Sequence, residues 1–480
     1  MGRLVLLAAL LATALAEAAP RGSLRRLVDD LVRGARGLDV PVRLELVVEG
    51  PDGKAQAPNR RFDAAVRGLM EGRLPRGVSP TAATTLSIAF VVTPAGKRCE
   101  PQKPCPAAQL DAFAELREGR RAFWDELVLP SPGIRTAWFA RARIDPELRA
   151  FLGLSHRALG PLGLRVVPLD EPSRGAVAVA TLDLDGDHDQ EFVVLGSELR
   201  VYRWLHGTRP VRVASHPFPR SGRPPLRLPF GAAFGLDLDG DGDEELVAWT
   251  SEQEAAPCFG WAGGGLERLN TRVARCPGET APGPMSACGA PLAVWADDSR
   301  TSLVTGNYGA DRATLTGELS LFSAMPGAAE SPGRPGFSPP PRTVAWTAAQ
   351  LYAGERWDRT VASVDASGTL VAVRVGSAEV HTDLEAGSAL ALVDLGDDGV
   401  LEVVRSGYGT PSAPDVVVVS AIEPGRPRLI EKARLPAALV RGFAPGDADN
   451  DGRSDVLVLT AAGLHWLGEV EEGGAERARP

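Results

Sequence analysis

An acidic turn that recurs with constant internal spacing restricts the folds open to this chain more than any other feature. Its first copy reads TLDLDGDHDQEF over residues 181–192, with aspartates at alternate positions from Asp183 to Asp189. Three more copies follow: LDLDGDGDEEL at 236–246, VDLGDDGVLEV at 393–403 and GDADNDGRSDV at 446–456. Counted from its first aspartate, each copy carries acids at positions 1, 5 and 9. A merely solvated acidic loop has no reason to recur with fixed spacing, so the four turns are predicted to share one structure.

The acids of each turn have the chemistry of a cation site. Carboxylates packed this closely repel one another unless a cation lies between them. Ca²⁺ takes six to eight oxygen ligands at about 2.3–2.6 Å, and a tight turn brings positions 1, 3, 5 and 9 around one point. The third copy has Gly396 at position 3, and His188 in the first copy is better explained as a solvated loop residue than as a ligand. The predicted calcium ligands are Asp183, Asp185, Asp187 and Glu191; Asp237, Asp239, Asp241 and Glu245; Asp394, Asp398 and Glu402; and Asp447, Asp449, Asp451 and Asp455.

These turns do not fit an EF-hand. An EF-hand needs a bidentate Glu at position 12 and a helix on either side of the loop. Position 12 is Val194, Ala248, Arg405 and Val458 in the four copies. The flanks of the first copy, AVAVA and EFVVL, are apolar and rich in Val over strand lengths. Each acidic turn is therefore predicted to join two strands.

The copies are also regularly placed along the chain. Their first aspartates lie 54 residues apart from 183 to 237, 53 apart from 394 to 447, and 157 apart from 237 to 394, close to three such periods. Two further copies without the full set of acids are therefore expected between them. The candidates are APLAVWADDSRTSLVTG at 290–306 and TVASVDASGTLVAV at 360–373, of which the second starts late for the period and suits the outer strands of its unit.

A period of about 50 residues with roughly four strands in each is typical of a β-propeller. The strands of the first blade are predicted at residues 176–181, 191–195, 198–204 and 210–215. The last copy lacks a fourth strand, while LGLRVVPL at 162–169 supplies a spare one. The predicted fold is mainly β: a six-bladed propeller, with seven blades as the alternative count, closed by pairing of residues 164–167 with residues 464–467.

The four acidic copies resemble FG-GAP/VCBS repeats, the calcium-loop blades of integrin alpha-chain propellers and of many exported bacterial proteins. The resemblance covers residues 161–472 and is strongest in the first, second and fourth copies. Glu at position 9 in three copies departs from the usual Asp, and Gly396 removes a ligand from the third. The resemblance implies bound calcium and a protein- or glycan-binding or adhesion role.

The chain is predicted to begin with an export signal. MGR is a short positive segment, residues 4–16 are apolar, and cleavage is expected near Ala16 or Ala18; a buried N-terminal helix is the alternative. The predicted organisation is a signal peptide at 1–18, an α/β domain of unknown role at 19–160, the propeller at 161–472 and a disordered tail at 473–480. The mature protein is expected in the periplasm, at the cell surface or secreted.

The five cysteines suit such a compartment. Cys99 and Cys105 bracket a short loop and are predicted to form a disulfide, with a metal site as the alternative. Cys258, Cys276 and Cys288 leave one odd thiol, and the sequence does not choose their pairing.

Residues 20–160 alternate between helix and strand patterns. Helices are predicted in SLRRLVDDLVRGA, in RRFDAAVRGLME, in AAQLDAFAELREGRRAF and after Asp145-Pro146. Strands are predicted in PVRLELVVEG, TTLSIAFVVT and TAWFARARI. This alternation favours a small α/β domain.

Composition and motifs limit the functions that this chain is expected to have. With 44% hydrophobic residues the chain is an ordinary globular protein, and its net charge of −9 argues against nucleic acid or anionic lipid as its partner. No uninterrupted apolar segment reaches about 18 residues after the leader, so no membrane span is predicted. No catalytic residues are predicted, because HExxH, GxSxG and phosphate-binding glycine motifs are missing from the sequence. The prediction is a non-enzymatic calcium-binding module with an unknown protein or glycan partner. The alternatives are an accessory propeller of an exported hydrolase or lyase, with its chemistry in the N-terminal domain, and a structural envelope component.

Overall fold

The computed structural model describes most of the chain in segments. The described residues are 23–35, 38, 40–49, 55–56, 58–93, 109–117, 134–144, 146–152, 159–170, 173, 175–187, 189–205, 207–219, 229–238, 243–253, 255–269, 286–296, 301–309, 314–322, 339–340, 342–353, 356–375, 380–395, 400–407, 414–422, 428–435, 439–451 and 453–470. The predicted signal peptide, the C-terminal tail and the Cys99–Cys105 disulfide lie outside them and stay predictions.

The first part of the chain forms a sheet with helices, called the N-terminal sheet below. Its helices are α1 (Ser23–Gly34), α2 (Arg60–Arg73) and α3 (Pro146–Leu152), and its strands are β1 (Val42–Glu49), β2 (Ala55–Gln56), β3 (Thr84–Thr93), β4 (Gln109–Arg117) and β5 (Ile134–Arg143). The strand order is β2-β1-β3-β4-β5. Strands β1 and β3 are parallel and joined through α2, while the other pairs are antiparallel.

Helix α1 is placed by its apolar stripe. Leu24, Leu27, Val28 and Leu31 recur at helical spacing, and all four are fully buried. The indole of Trp138 on β5 donates a hydrogen bond to the carbonyl of Leu31 at 3.0 Å. The helix therefore packs on the sheet through one face and leaves its arginines on the other.

The helix predicted around residues 107–123 is wrong, because residues 109–117 form strand β4. Leu110, Ala112, Ala114 and Leu116 are buried while Phe113 between them is 47% exposed, which is a period of two rather than 3.6. Strands β3 and β5 pair with β4 on either side. Tertiary pairing thus overrides the helix propensity of its Ala, Leu and Glu residues.

All the regular secondary structure in the rest of the described chain is β-strand. They are β6 (Leu162–Val166), β7 (Ala178–Leu182), β8 (Glu191–Leu195), β9 (Glu198–Arg203), β10 (Val211–Pro217), β11 (Gly231–Leu236), β12 (Glu245–Thr250), β13 (Ala255–Ala262), β14 (Gly265–Arg268), β15 (Ser286–Cys288), β16 (Ala290–Ala296), β17 (Thr301–Tyr308), β18 (Leu315–Phe322), β19 (Thr343–Ala353), β20 (Arg356–Asp365), β21 (Leu370–Arg374), β22 (Val380–Asp383), β23 (Ala386–Val393), β24 (Glu402–Gly407), β25 (Asp415–Ala421), β26 (Arg428–Leu435), β27 (Val440–Gly446), β28 (Asp455–Thr460) and β29 (Leu464–Glu469).

Among the described residues these strands form six successive sheets, numbered 1 to 6 below. Sheet 1 has the order β10-β9-β8-β7, and sheet 2 has β11-β12-β13-β14, with β15 paired to β13. Sheet 3 is β16-β17-β18, sheet 4 is β19-β20-β21-β22 and sheet 5 is β23-β24-β25-β26. Sheet 6 is β27-β28-β29-β6. The chain is mainly β, as predicted.

The first strands of neighbouring sheets contact one another. Strand β7 contacts β11, β11 contacts β16, β16 contacts β19, β19 contacts β23, β23 contacts β27, and β27 contacts β7. A strand from much earlier in the chain completes the last sheet: β6 pairs antiparallel with β29, Leu164 opposite Leu467. This pairing confirms the predicted use of the spare strand.

The predicted strands of the first repeat lie within two residues of β7, β8, β9 and β10. Residues 290–296 form β16 and residues 301–306 lie in β17; these are the first two strands of sheet 3. Residues 360–373 lie in β20 and β21, the second and third strands of sheet 4, whose first strand is β19. No helix among the described residues is long and apolar enough to span a bilayer.

Candidate metal centre

Each acidic turn joins the first strand of a sheet to the second. The turns at residues 183–191, 237–245, 394–402 and 447–455 are called the first to fourth acidic loops. They follow β7, β11, β23 and β27, as the Val-rich flanks predicted. The loops therefore lie at the same end of the four first strands.

One hydrogen bond recurs in all four loops. The acid at position 9 accepts the backbone N–H of position 2, at N···O distances of 3.1 Å for Leu184–Glu191, 2.6 Å for Leu238–Glu245, 2.8 Å for Leu395–Glu402 and 3.3 Å for Ala448–Asp455. Position 9 thus closes the turn as well as being a candidate ligand. Sequence reasoning missed this second role, for which the signal was an apolar residue at every position 2.

The fourth acidic loop concentrates three buried carboxylates. Asp447, Asp449 and Asp455 are 7%, 0% and 2% exposed, and each offers an oxygen within 4.8 Å of the others. The indole of Trp466 donates to Asp455 Oδ2 at 2.7 Å, and Arg165 on β6 donates to Asp449 Oδ2 at 3.1 Å. These three acids are close enough to hold a metal ion.

The electrostatics of the fourth loop favour a bound cation. Burial, and next the charges of Asp449 and Asp447, raise the pKa of Asp455 well above its usual range. Asp447 Oδ1 accepts the N–H of Asp451 at 3.0 Å, which curls the loop around the acids. A positive ion among these oxygens would remove the repulsion that raises that pKa.

Asn450 ties the fourth loop to sheet 1. It has a left-handed backbone, with φ of 57°, which Asn tolerates better than most residues. Its amide donates to the carbonyls of Gln190 and Trp204, and its Oδ1 accepts the N–H of Gln190 at 2.7 Å. The position of this loop therefore depends on the first sheet.

The first acidic loop also gathers three acids, but two arginines contact them. Asp183, Asp185 and Glu191 each offer an oxygen within 4.8 Å of the others. Arg203 on β9 lies 2.7 Å from Asp185 Oδ2 and 2.6 Å from Glu191 Oε1. Burial raises the pKa of Glu191 to about 7, against the opposing effect of Arg203.

The second arginine at the first loop comes from the N-terminal sheet. Arg26 on α1 donates to Asp183 Oδ2 at 3.0 Å and to Glu244 Oε1 at 2.7 Å. Glu244, at the end of the second acidic loop, also accepts the N–H of Asp183 at 2.9 Å. Helix α1 thus contacts two neighbouring acidic loops at once.

The second and third acidic loops are described only in part. Of the loop residues named above, five lie outside the described residues: Asp239, Asp241, Gly396, Asp398 and, in the first loop, His188. Position 1 and position 9 of both loops are described, and three of these four acids are buried: Glu245, Asp394 and Glu402.

Of the three cysteines whose pairing the sequence leaves open, Cys258 is buried in the core around sheets 2 and 3.

A cavity of about 770 Å³ opens at the other end of the first strands. Its lining includes the beginnings of all six first strands, β7, β11, β16, β19, β23 and β27. Phe230, Trp249 and Tyr308 form an aromatic group on one wall, with ring centroids 5.2–5.7 Å apart. Ser388 and Arg441 lie on the wall formed by β23 and β27.

No protein-family model matches this chain, and no curated protein matches it. Solved structures do show similarity. BBS1N in complex with ARL6DN is 14% identical over 66% of this chain and 99% of that one, with a TM-score of 0.34. SapL1 lectin in complex with alpha methyl fucoside is 12% identical over 62% and 97%, with a TM-score of 0.37. AofleA from Arthrobotrys oligospora is 11% identical over 66% and 89%, with a TM-score of 0.38. The likeness is to β-rich folds, and at these TM-scores it carries no argument about function. Membership of the FG-GAP/VCBS family stays a prediction.

Proposed function

We propose that this chain is an exported, calcium-stabilised β-propeller of six blades that binds a glycan. Each of sheets 1 to 6 would be one blade. Support for the ring comes from the contacts between successive first strands and from the contact of β27 with β7. The pairing of β6 with β29 supports closure, because a ring closed by both ends of a chain leaves fewer exposed strand edges.

The observation that carries the calcium proposal is the buried cluster of Asp447, Asp449 and Asp455. Buried carboxylates in contact are costly unless a cation compensates them. The donors are all oxygens, which suits a hard cation such as Ca²⁺ rather than a metal that prefers His or Cys. We extend the proposal to the second and third loops through Asp237, Asp239, Asp241 and Glu245 and through Asp394, Asp398 and Glu402.

The cavity at the beginning of the first strands is where we place the ligand. Ligand sites are typically concave and largely apolar with a few polar groups, and their volumes run from about 300 to 1,000 Å³. This cavity falls in that range and joins an aromatic wall to a wall with Ser388 and Arg441. Aromatic rings beside hydrogen-bonding groups suit the apolar face and the hydroxyls of a sugar, which favours a glycan over a protein as the ligand.

The calcium proposal is tested by thermal melting with calcium and with chelator. At 100 times its dissociation constant, one bound ion stabilises the native state by about 2.7 kcal/mol, which raises the Tm by a few degrees. Asp449→Ala should reduce the calcium-dependent rise, because it removes a buried ligand oxygen. Identical midpoints with calcium and chelator in the wild type would overturn the proposal.

Asp365→Ala is the matched control. Asp365 is the last residue of β20, and its Oδ1 accepts the N–H groups of Ser367 and Thr369 at 2.8 and 2.9 Å. The hydrogen bond from the Ser367 hydroxyl, with that from Thr369, lowers the pKa of Asp365. Its loss should lower the basal Tm but leave the calcium-dependent rise unchanged. Equal reductions in both variants would contradict the assignment of the ligands.

The glycan proposal is tested on a glycan array with the wild type and with Ser388→Trp. Ser388 is exposed and lines the cavity, so an indole there would fill it. Val213→Trp, on the outer strand β10, is the control because Val213 is exposed outside the cavity lining. We expect binding by the wild type and the control only. Binding that survives Ser388→Trp would place the ligand elsewhere, and turnover of a bound glycan would favour the enzyme alternative.

A further inference from the structure

The first acidic loop differs from the other three at a position on the neighbouring strand. Arg203 on β9 pairs in register with Glu191, the position 9 acid. In sheet 5 the residue paired with Glu402 is Ala421. In sheet 2, Leu246 pairs with Phe259, so the next pair along the strands places Gly260 opposite Glu245. In sheet 6, Val456 pairs with Leu467, so Gly468 lies opposite Asp455. The first loop alone among the four has a long cationic side chain at this position.

The Arg203 guanidinium contacts carboxylate oxygens at three of the predicted ligand positions. It lies 2.7 Å from Asp185 Oδ2, 3.2 Å from Asp187 Oδ2 and 2.6 Å from Glu191 Oε1. These are positions 3, 5 and 9 of the loop. A guanidinium is planar and always charged, and its several N–H donors can serve three carboxylates together. A metal ion could take these oxygens only after Arg203 had moved.

The remaining predicted ligand of the first loop, at position 1, is contacted by Arg26. Its Asp183 side chain is only 2% exposed, and Arg26 reaches it and Glu244 from α1. Arg26 thus pairs with one acid from each of two neighbouring loops, in largely buried surroundings. These ion pairs form a charged anchor between the N-terminal sheet and sheets 1 and 2. Helix α3 makes a separate contact with β19.

We propose that the first acidic loop is an arginine socket rather than a calcium site. Arg203 is its resident cation, and Arg26 docks the N-terminal sheet onto it without calcium. The inference rests on the proposed function only in taking the other acidic loops as the calcium sites. The loop keeps the repeat's acids because they hold arginines.

Counting bound calcium per chain by equilibrium dialysis on the full chain tests the resident cation. Asp185→Asn should leave the count unchanged, whereas Asp449→Ala should lower it by one. Arg203→Ala should raise the count by one, because it frees the oxygens of Asp185 and Glu191. Arg212→Ala, on β10, is the control and should change nothing. Loss of one ion in Asp185→Asn, or an unchanged count in a folded Arg203→Ala protein, would overturn the proposal.

Hydrogen exchange of the full chain in chelator tests the anchor. Arg26→Ala should raise exchange at Asp183 and Glu244, whose N–H groups each donate a hydrogen bond to the other loop. Arg25→Ala is the matched control, since Arg25 pairs with Asp29 inside the same helix. The result is read at Asp183, because Glu244 adjoins Glu245, a proposed calcium ligand of the second loop. Exchange at Asp183 that ignores Arg26→Ala would refute the anchor. If the wild type bound no calcium at all, the proposed function would fail while this exchange result still decided the anchor.

Discussion

At the scale of single residues, the acids of this chain have two separable tasks. The acid at position 9 closes its turn through one carboxylate oxygen, and in the first and fourth loops its other oxygen accepts a further side-chain donor. In the fourth loop Asp455 does both, with the N–H of Ala448 on one oxygen and the indole of Trp466 on the other. Recurrence of an acid at this position thus does not require a metal in every copy.

Glu245 gives a test of the closing role without calcium. Glu245→Ala leaves the N–H of Leu238 buried without its acceptor, which costs about 1–3 kcal/mol. Glu245→Gln keeps a carbonyl oxygen at the same place and should cost less. We expect this order in urea unfolding with chelator present, and Glu267→Gln, at an exposed position on β14, should show no loss. If the Ala and Gln variants were equally stable, the turn-closing role would be wrong.

The sequence predicted the acids but not their partners. Spacing along the chain is enough to align Asp183, Asp237, Asp394 and Asp447. The Arg26–Asp183 pair joins residues 157 positions apart, and no periodicity in either segment indicates it. The contact of Arg203 with Glu191 could have been predicted from the sequence. The register of a short hairpin follows from its length, and β9 begins three residues after β8 ends.

At the scale of elements, sheet 6 is the most informative case. A missing last strand and a spare first one predicted the pairing of β6 with β29, since an unpaired strand edge in a sheet is a liability. Strand β4 is the opposite case. Its Ala, Leu and Glu residues favour a helix locally, and only pairing with the neighbours β3 and β5 decides otherwise. The pairing of β6 with β29 could be predicted by counting the strands of each repeat, whereas β4 could be assigned as a strand only from its tertiary contacts.

Breaking β6 should open the proposed ring. Leu164→Pro removes an N–H and distorts a strand whose partner Leu467 is buried, which we expect to cost on the order of 1–3 kcal/mol. The exposed edge of β29 should also promote aggregation. Val166→Thr is the control, because Val166 is 68% exposed and the change keeps its N–H. Urea unfolding and light scattering measure both effects. A Leu164→Pro protein as stable and soluble as the control would show that β6 does not close the ring.

At the scale of the whole molecule, the two candidate sites are separated by the length of the first strands. The acidic loops follow the ends of these strands, and the cavity is lined by their beginnings. In β27 the cavity lining ends at Phe443, about 13 Å along the strand from Asp447, so no predicted calcium ligand of the fourth loop reaches the cavity directly. In the proposed function, bound calcium would therefore act on the strands that shape the cavity and not on the ligand within it.

This separation predicts that calcium changes stability but not affinity. Well below both melting temperatures, the dissociation constant for a glycan found on the array should agree within about twofold between calcium and chelator, since a twofold change is only about 0.4 kcal/mol. Over the same comparison the Tm should fall by a few degrees in chelator, because the buried acids of the fourth loop lose their cation. Titration followed by tryptophan fluorescence is suitable, as Trp249 and Trp346 line the cavity. Ser388→Trp should abolish binding in both conditions and keep the calcium-dependent rise in Tm. Affinity that fell in proportion to calcium removal, with the protein still folded, would mean that a metal contacts the ligand and that the two sites are one.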